Sequence, residues 1–366
     1  MKRFQITAII TAVLCLVSIL VSSLIIGAMS RRLLSETAHE RWSGDGTAYA
    51  QLSAFISPEA GLTREDVEYS LKDSLDRALV DASIAPANES ARIFALGFGA
   101  EGSGVVSRTG EYGKVIKNGT SAVISACGGD FFLFHPQKML SGHYFSTTDV
   151  LNDCIIIDND LAWQMFGSSD VVGMSIRING KECFVSGVCE SGGDGEYSEF
   201  YGDIPRVFVP YSLAEELLGN VPVETVEVTL PSPIGGFAMK MFSENLRVDE
   251  GLCEFKENSE RFTDKYLRDR LLGISDRGVR TKPIAYPYFE NTAVKLSDAA
   301  AGVYIFKIVP IVILVLILTV EVVILYIKRR VLISAAASAV KRTARDIRQN
   351  RRSRKQKNII KGEDNV

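Results

Sequence analysis

The 366-residue sequence contains no G-x-x-x-x-G-K-[ST] run, so it carries no phosphate-binding loop of its own for ATP. C-x-x-C and H-E-x-x-H are missing too, and the three histidines, His39, His135 and His143, lack metal-ligand spacing. Each of the three is expected at the surface or in a turn. The EF-hand pattern is absent, which leaves Asp158, Asp160 and the Asp194/Glu196/Glu199 loop reading as solvated acids and not as calcium ligands. No serine or cysteine with a nearby basic partner suggests a nucleophile. The chain therefore reads as not an enzyme, with no cofactor and no metal expected.

Charge is missing from two long stretches, and this shortage is the most informative feature of the sequence. Residues Ile6 to Ala28 hold no charged side chain, and Ile308 to Ile327 hold one, Glu321. Each run is long enough to cross a bilayer as a helix. The first is too long for the apolar core of a signal peptide, and Arg31-Arg32 stand where small cleavage-site residues belong, so it reads as a retained anchor. Basic residues set the orientation. From Lys328 onward the tail holds thirteen Lys and Arg, including Lys328, Arg329, Arg330, Lys341 and Arg342, against Asp346, Glu363 and Asp364. Both termini are thus expected in the cytoplasm and residues 29–307 outside. Apart from the spans, the tail and Lys2-Arg3, 26 basic residues face 40 acidic ones, about −14. That charge disfavours nucleic acid as a ligand of the outer part.

Cysteine is sparse: Cys15 lies in the first apolar run, and Cys127, Cys154, Cys183, Cys189 and Cys253 lie beyond it. Five is odd, so they do not all pair within one chain. Cys183 and Cys189 stand six residues apart in one strand-like run, about 20 Å at strand rise, too far for a bridge. Small buried hydrophobes are the expected role.

Between the apolar runs, SRRLLSETAHERW reads as a stalk that continues the first helix as far as Gly44 and Gly46. Thr63 and Asp66 form the N-cap and N3 of an amphipathic helix with Val67, Leu71, Leu75 and Leu79 on one face. From Ala91 to Phe134 short β segments alternate with glycines. Gly97, Gly99 and Gly102 match G-x-G-x-x-G, but strand and turn residues follow where a dinucleotide site needs a helix. DCIIID is a strand, LAWQMFG a short helix, and SIRING with KECFVSGVCE a hairpin turning on Asn179-Gly180. SGGDGEYSEFYGD reads as a flexible acidic loop. Further on, RVFVPY and VETVEVTLP are strands and SLAEELLG a helix; Gly236–Arg247 and Ser259–Leu272 look helical. FENTAVKLSDAAAGVYIF forms a second stalk running into the second apolar run. The fold class is α+β: an extracytoplasmic mixed helix/strand domain, porter-like plus a β-rich lobe, carried by two transmembrane helices.

The stretch 129–190 resembles the periplasmic core domain of MacB-type ABC transporter permeases, a family akin to the FtsX type. The resemblance rests on Gly129, Phe131, Leu140, Gly142, Phe145, the Cys154–Asp158 strand, Leu161, Phe166-Gly167, Asp170, Val172-Gly173, Ile176, Ile178, Gly180, Phe184, Val185 and Gly187-Val188. His143 stands where that family usually has arginine. These are structural positions: Gly142 and Gly180 suit positive φ, and Phe145, Phe166 and Val185 suit a core.

The apolar runs and basic flanks give these parts: cytoplasmic 1–5, span 6–28, outer domain 29–307 with motif core 129–190, span 308–327 and basic tail 328–366. The resemblance implies a bacterial cell-membrane protein. It further implies a reduced member, since such permeases have four spans, coupled to a separately encoded ABC ATPase and permease. A stand-alone envelope sensor or adhesion module is the rival. Glu321 is costly in a bilayer; either it snorkels or protonates without further role, or it contacts the first span near Thr7 or Thr11, or a partner helix. The tail is expected to bind anionic inner-leaflet lipids at around 1 kcal/mol per basic residue.

Overall fold

A computed structural model describes residues 2–42, 48–84, 91–110, 115–145, 152–192, 200–273 and 283–363. It divides into two units, one of Leu24–Tyr304 and one of Met1–Ser23 with Ile305–Val366. The acidic residues Asp194, Glu196 and Glu199, and the stalk-ending Gly44 and Gly46, lie outside the described residues.

The first apolar run forms α1, Lys2–Arg32. The expected stalk does not continue it. The backbone opens at Leu33, makes a single turn at Leu34–Glu36 and resumes as the short α2, Ala38–Trp42. Gln51 explains the break: its carbonyl accepts from Ala38 N–H at 2.8 Å and its amide donates to the Ser35 carbonyl. Freed backbone groups thus find a partner on a strand instead of in a helix. Leu33 is buried against Ala293 and Leu296.

Gln51 belongs to β1, Tyr49–Ile56. The capping box then forms as expected: Asp66 N–H donates to Thr63 Oγ1 at 3.2 Å, and Thr63 N–H donates to the Asp66 carboxylate at 3.0 Å. The helix winds as a wide π turn over Asp66–Leu71 before becoming α3, Lys72–Asp81. Val67, Leu71, Leu75 and Leu79 recur every four residues and all are buried. A spacing of four exceeds the 3.6 residues of an α turn, and the wider turn brings that row onto one face.

The glycine-punctuated stretch is one long hairpin and not several short strands. β2, Ala95–Thr109, pairs antiparallel with β3, Val115–Gly129. The glycines are internal to it. A Cβ on Gly97 would lie 2.8 Å from the Phe134 ring and one on Gly102 2.5 Å from Leu218, so neighbours occupy that space. The G-x-G-x-x-G match is therefore a packing feature. Phe131–Phe134, expected as strand, is a single helical turn, α4.

The remaining elements follow in order: β4 Met139–Gly142, β5 Cys154–Asp158, α5 Asn159–Phe166, β6 Ser175–Ile178, β7 Lys181–Cys189, β8 Arg206–Pro210, α6 Tyr211–Leu218, β9 Thr225–Pro231, α7 Phe237–Asn245, β10 Cys253–Glu257, α8 Asp264–Leu272 and α9 Tyr288–Glu363. The ten strands of the described residues join one sheet with path β10-β1-β9-β2-β3-β8-β5-β7-β4, while β6 pairs with both β2 and β7. The pairings β2-β3-β8-β5-β7-β6 consequently close on themselves as a ring. The two lobes read from the sequence are not separate bodies: the sheet domain is one compact unit, and β2-β3 lies in the middle of its sheet. None of the described cysteines forms a disulfide, and burial pushes the Cys183 and Cys189 thiols up to about 11 and about 12. They behave as small apolar side chains.

In the second unit, α1 and α9 are long and apolar enough to cross a membrane. Their large side chains are left uncovered, as at Leu14, Leu20, Leu316 and Leu318, unlike those of a soluble core helix. Ser18 Oγ donates to the Phe306 carbonyl at 2.8 Å.

Candidate functional site

The turn after β10 places Arg261, 2% exposed, in the interior. A guanidinium carries five donors and stays charged, so burying one requires anionic acceptors on several sides. Two carboxylates meet it. Arg261 Nε lies 2.7 Å from Glu36 Oε2; Nη2 and Nη1 lie 2.6 and 3.3 Å from the two oxygens of Glu290. Asn258 Nδ2 donates to the other oxygen of Glu36 at 3.5 Å. Glu36 stands four residues past the end of α1, and Glu290 in the first turn of α9. One side chain of the sheet domain therefore binds both segments that lead to the apolar helices.

Two neighbouring residues of α9 are held as firmly. The His135 ring stacks on Phe289 at 3.7 Å between centroids, and its Nε2 meets Glu227, which also accepts from Ser53 Oγ at 2.9 Å. Tyr288 lies under the Arg206 guanidinium at 4.5 Å, and Arg206 in turn is bonded to Glu101 and Ser125. Lower down, Arg270 Nε meets Asp298 at 2.7 Å.

The junction carries excess negative charge. Burial first, opposed by Arg261 and reinforced by Glu290 and Glu227, pushes the Glu36 carboxyl up to about 7. It offers no nucleophile. Among the described residues no group of three or more His, Cys, Asp or Glu is placed to hold a metal. Charge-assisted, partly two-pronged bonds make a mechanical connection, not a reaction centre.

The sequence-predicted positions lie elsewhere and are structural. Gly142 (φ 72°) and Gly187 face each other across β4 and β7; a Cβ on Gly142 would sit 2.1 Å from the Ser186 carbonyl oxygen. Phe145 is buried beside Phe132 and Phe208, and Phe166 is half-buried under Arg108. Gly167 (φ 73°) ends α5, Gly173 (φ 81°) donates to Val185 O, and Gly180 (φ 90°) turns the β6-β7 hairpin with Asn179 (φ 47°). Glu321 lines a groove of about 350 Å³ with Thr7 and Thr11. Arg329, Arg330 and Lys341 are exposed and Lys328 is partly so, while the Arg342 side chain lies outside the described residues.

Two readings need correction. His135 is 1% exposed and not a surface residue, because Glu227 and Phe289 enclose it. Asp158 is not a solvated acid: it is fully buried, caps α5 through Leu161 N–H and accepts Arg206 N–H at 2.7 Å. Sequence reading missed Glu36, Arg261 and Glu290 altogether. No local signal marked them: Arg261 lies in the polar run KENSERFTDK and Glu36 in RRLLSETAHER, where charged residues read as solvated.

A family model described as "MacB-like periplasmic core domain" matches residues 6–235. The chain belongs to that family. Membership places it among membrane transport proteins with an extracytoplasmic domain. Two solved structures are similar: the periplasmic region of MacB from Actinobacillus actinomycetemcomitans, at 16% identity and TM-score 0.39, covering 66% of this chain and 97% of that one; and the extracellular domain of the noncanonic ABC-type transporter YknZ from Gram-positive bacteria, at 14% and 0.36, covering 57% and 100%. No curated protein matches the chain.

Proposed function

We propose that this MacB-like protein is a membrane subunit of, or accessory to, an ABC transporter, and that its outer domain passes conformational change to the membrane helices. The observation that carries this reading is the junction of Glu36, Arg261 and Glu290. A domain that only displayed a binding surface has no need to fix both membrane-side segments on one buried cation. A domain that transmits movement does, because a hinge needs a stiff element to act on.

In this reading α1 and α9 cross the cell membrane, both termini are cytoplasmic, and the thirteen basic residues of the tail rest on anionic inner-leaflet lipid. The residues Lys328, Arg329, Arg330, Lys341 and Arg342 begin that contact. Glu321 supplies a polar contact within the membrane, either to the threonines of its own groove or to a partner helix. The energy for transport comes from a separately encoded ATPase, and a separate permease forms the pathway.

Affinity purification of the full chain in mild detergent tests the assignment. Recovery of an ABC ATPase together with a multi-span permease is the expected result. Repeated recovery of the chain without an ATPase contradicts it and favours the stand-alone envelope module.

A further inference from the structure

A cavity of about 210 Å³ opens beneath the segment that leads into α9, apart from the Arg261 junction. Its walls include Glu101 and Glu224 and four aromatic side chains, Phe131, Tyr286, Tyr288 and Phe289. The two carboxylates are not equivalent. Glu101 is neutralised by Arg206. Glu224 is half-buried, and its carboxylate receives only the backbone N–H of Glu101, at 3.3 Å; among the described residues no cationic side chain meets it. With Arg206 counted, the described residues leave the cavity with one uncompensated negative charge.

We infer that this cavity binds a small organic ammonium ion, with Glu224 as its counter-ion and the aromatic walls receiving its alkylated face. Aromatic faces attract cations and also bury methyl and methylene groups, a pairing that suits an alkylammonium better than a hydrated inorganic cation. Oxygen ligands for a metal are too few here: hard divalent ions need six or more oxygens, and the walls are largely carbon. The volume is below the roughly 300–1,000 Å³ usual for drug-sized ligands, which restricts the occupant to a small one. The outer domain's net charge of about −14 raises the local concentration of any cation. Burial also raises the Glu224 carboxyl above its usual range, and a bound ammonium would remove that penalty. The inference concerns binding alone and stands whether or not the chain acts in transport.

The test is ligand-observed saturation-transfer NMR on the full chain in detergent, with choline and n-butylammonium as probes. The neutral choline isostere 3,3-dimethylbutan-1-ol and sodium serve as controls. At least one ammonium should bind, the isostere should bind at least tenfold more weakly, and Glu224→Gln should weaken ammonium binding at least tenfold. Ala285→Leu, which narrows the cavity without altering its charge, should also reduce binding. Glu224→Gln removes a buried charge, so its melting temperature should equal or exceed that of the wild type, and a loss of binding is then a loss of the site. The inference is overturned if neither ammonium binds at up to about 10 mM. Equal affinity for the neutral isostere overturns it as well, as does equal affinity in Glu224→Gln.

Discussion

Arg261 and Glu290 face each other as a two-pronged pair, with nitrogen–oxygen distances of 2.6 and 3.3 Å and both side chains 2% exposed. Glu36 completes the arrangement from the other side at 2.7 Å. One cation thus serves two anions whose positions in the sequence are 254 residues apart. The consequences of removing each member differ.

Replacing Arg261 with methionine strands two buried carboxylates and should cost about 3–5 kcal/mol of stability. Glu36→Gln leaves Arg261 paired with Glu290 and removes the excess negative charge, so its cost should stay within about 1 kcal/mol. Urea unfolding of the two variants in the same detergent checks the asymmetry. Equal losses would show that Glu36 and Arg261 are worth the same to the fold, contrary to the geometry.

Stability should fall as pH rises from about 4.5 to about 7. Glu36 is raised from 4.5 to about 7 by burial, so the folded state holds its proton more tightly than the unfolded one. Its contribution is complete below the unfolded value and disappears as pH passes the folded value. Asp158, raised from 3.8 to about 6 by burial, acts with the same sign over a lower window. Melting temperatures measured across this range should decline, and the decline should be shallower in Glu36→Gln.

Two glycines with nearly the same backbone angle should respond differently to alanine. At Gly142 the new Cβ would lie 2.1 Å from the Ser186 carbonyl oxygen, whereas at Gly167 nothing stands within 4 Å. Gly167→Ala should cost only the strain of the left-handed backbone, about 1 kcal/mol. Gly142→Ala should cost about 2–4 kcal/mol, because backbone must also move. Thermal unfolding of both variants decides it.

What the sequence revealed was local. Thr63 with Asp66, Asn179 with Gly180, and the run ending at Gly167 each place their signal within a few residues, and each formed as read. The family resemblance was legible for the same reason, since its glycines and aromatics sit at fixed short spacings. Features made by distant residues were not legible. Arg261 meets a glutamate 225 positions away, and His135 meets one 92 away; nothing in local periodicity links them. The β2-β3 hairpin was read as several short strands because glycines normally mark turns. Here Gly97 and Gly102 make room for Phe134 and Leu218, a need that appears only once those side chains are packed. The first stalk failed in a similar way: its helical pattern is sound, but Gln51 offers its backbone a better partner.

The central claim is that the sheet domain lies outside the cell between two membrane helices. A comparison of cysteines introduced at two positions tests it most directly, the remaining native cysteines being buried. In a background with half-buried Cys154 replaced by serine, a cysteine is placed at exposed Trp163 or at exposed Lys341, and intact cells are treated with a membrane-impermeant maleimide. Labelling at 163 with none at 341 until the cells are opened is the predicted result. Labelling at 341 while 163 stays protected would contradict the account.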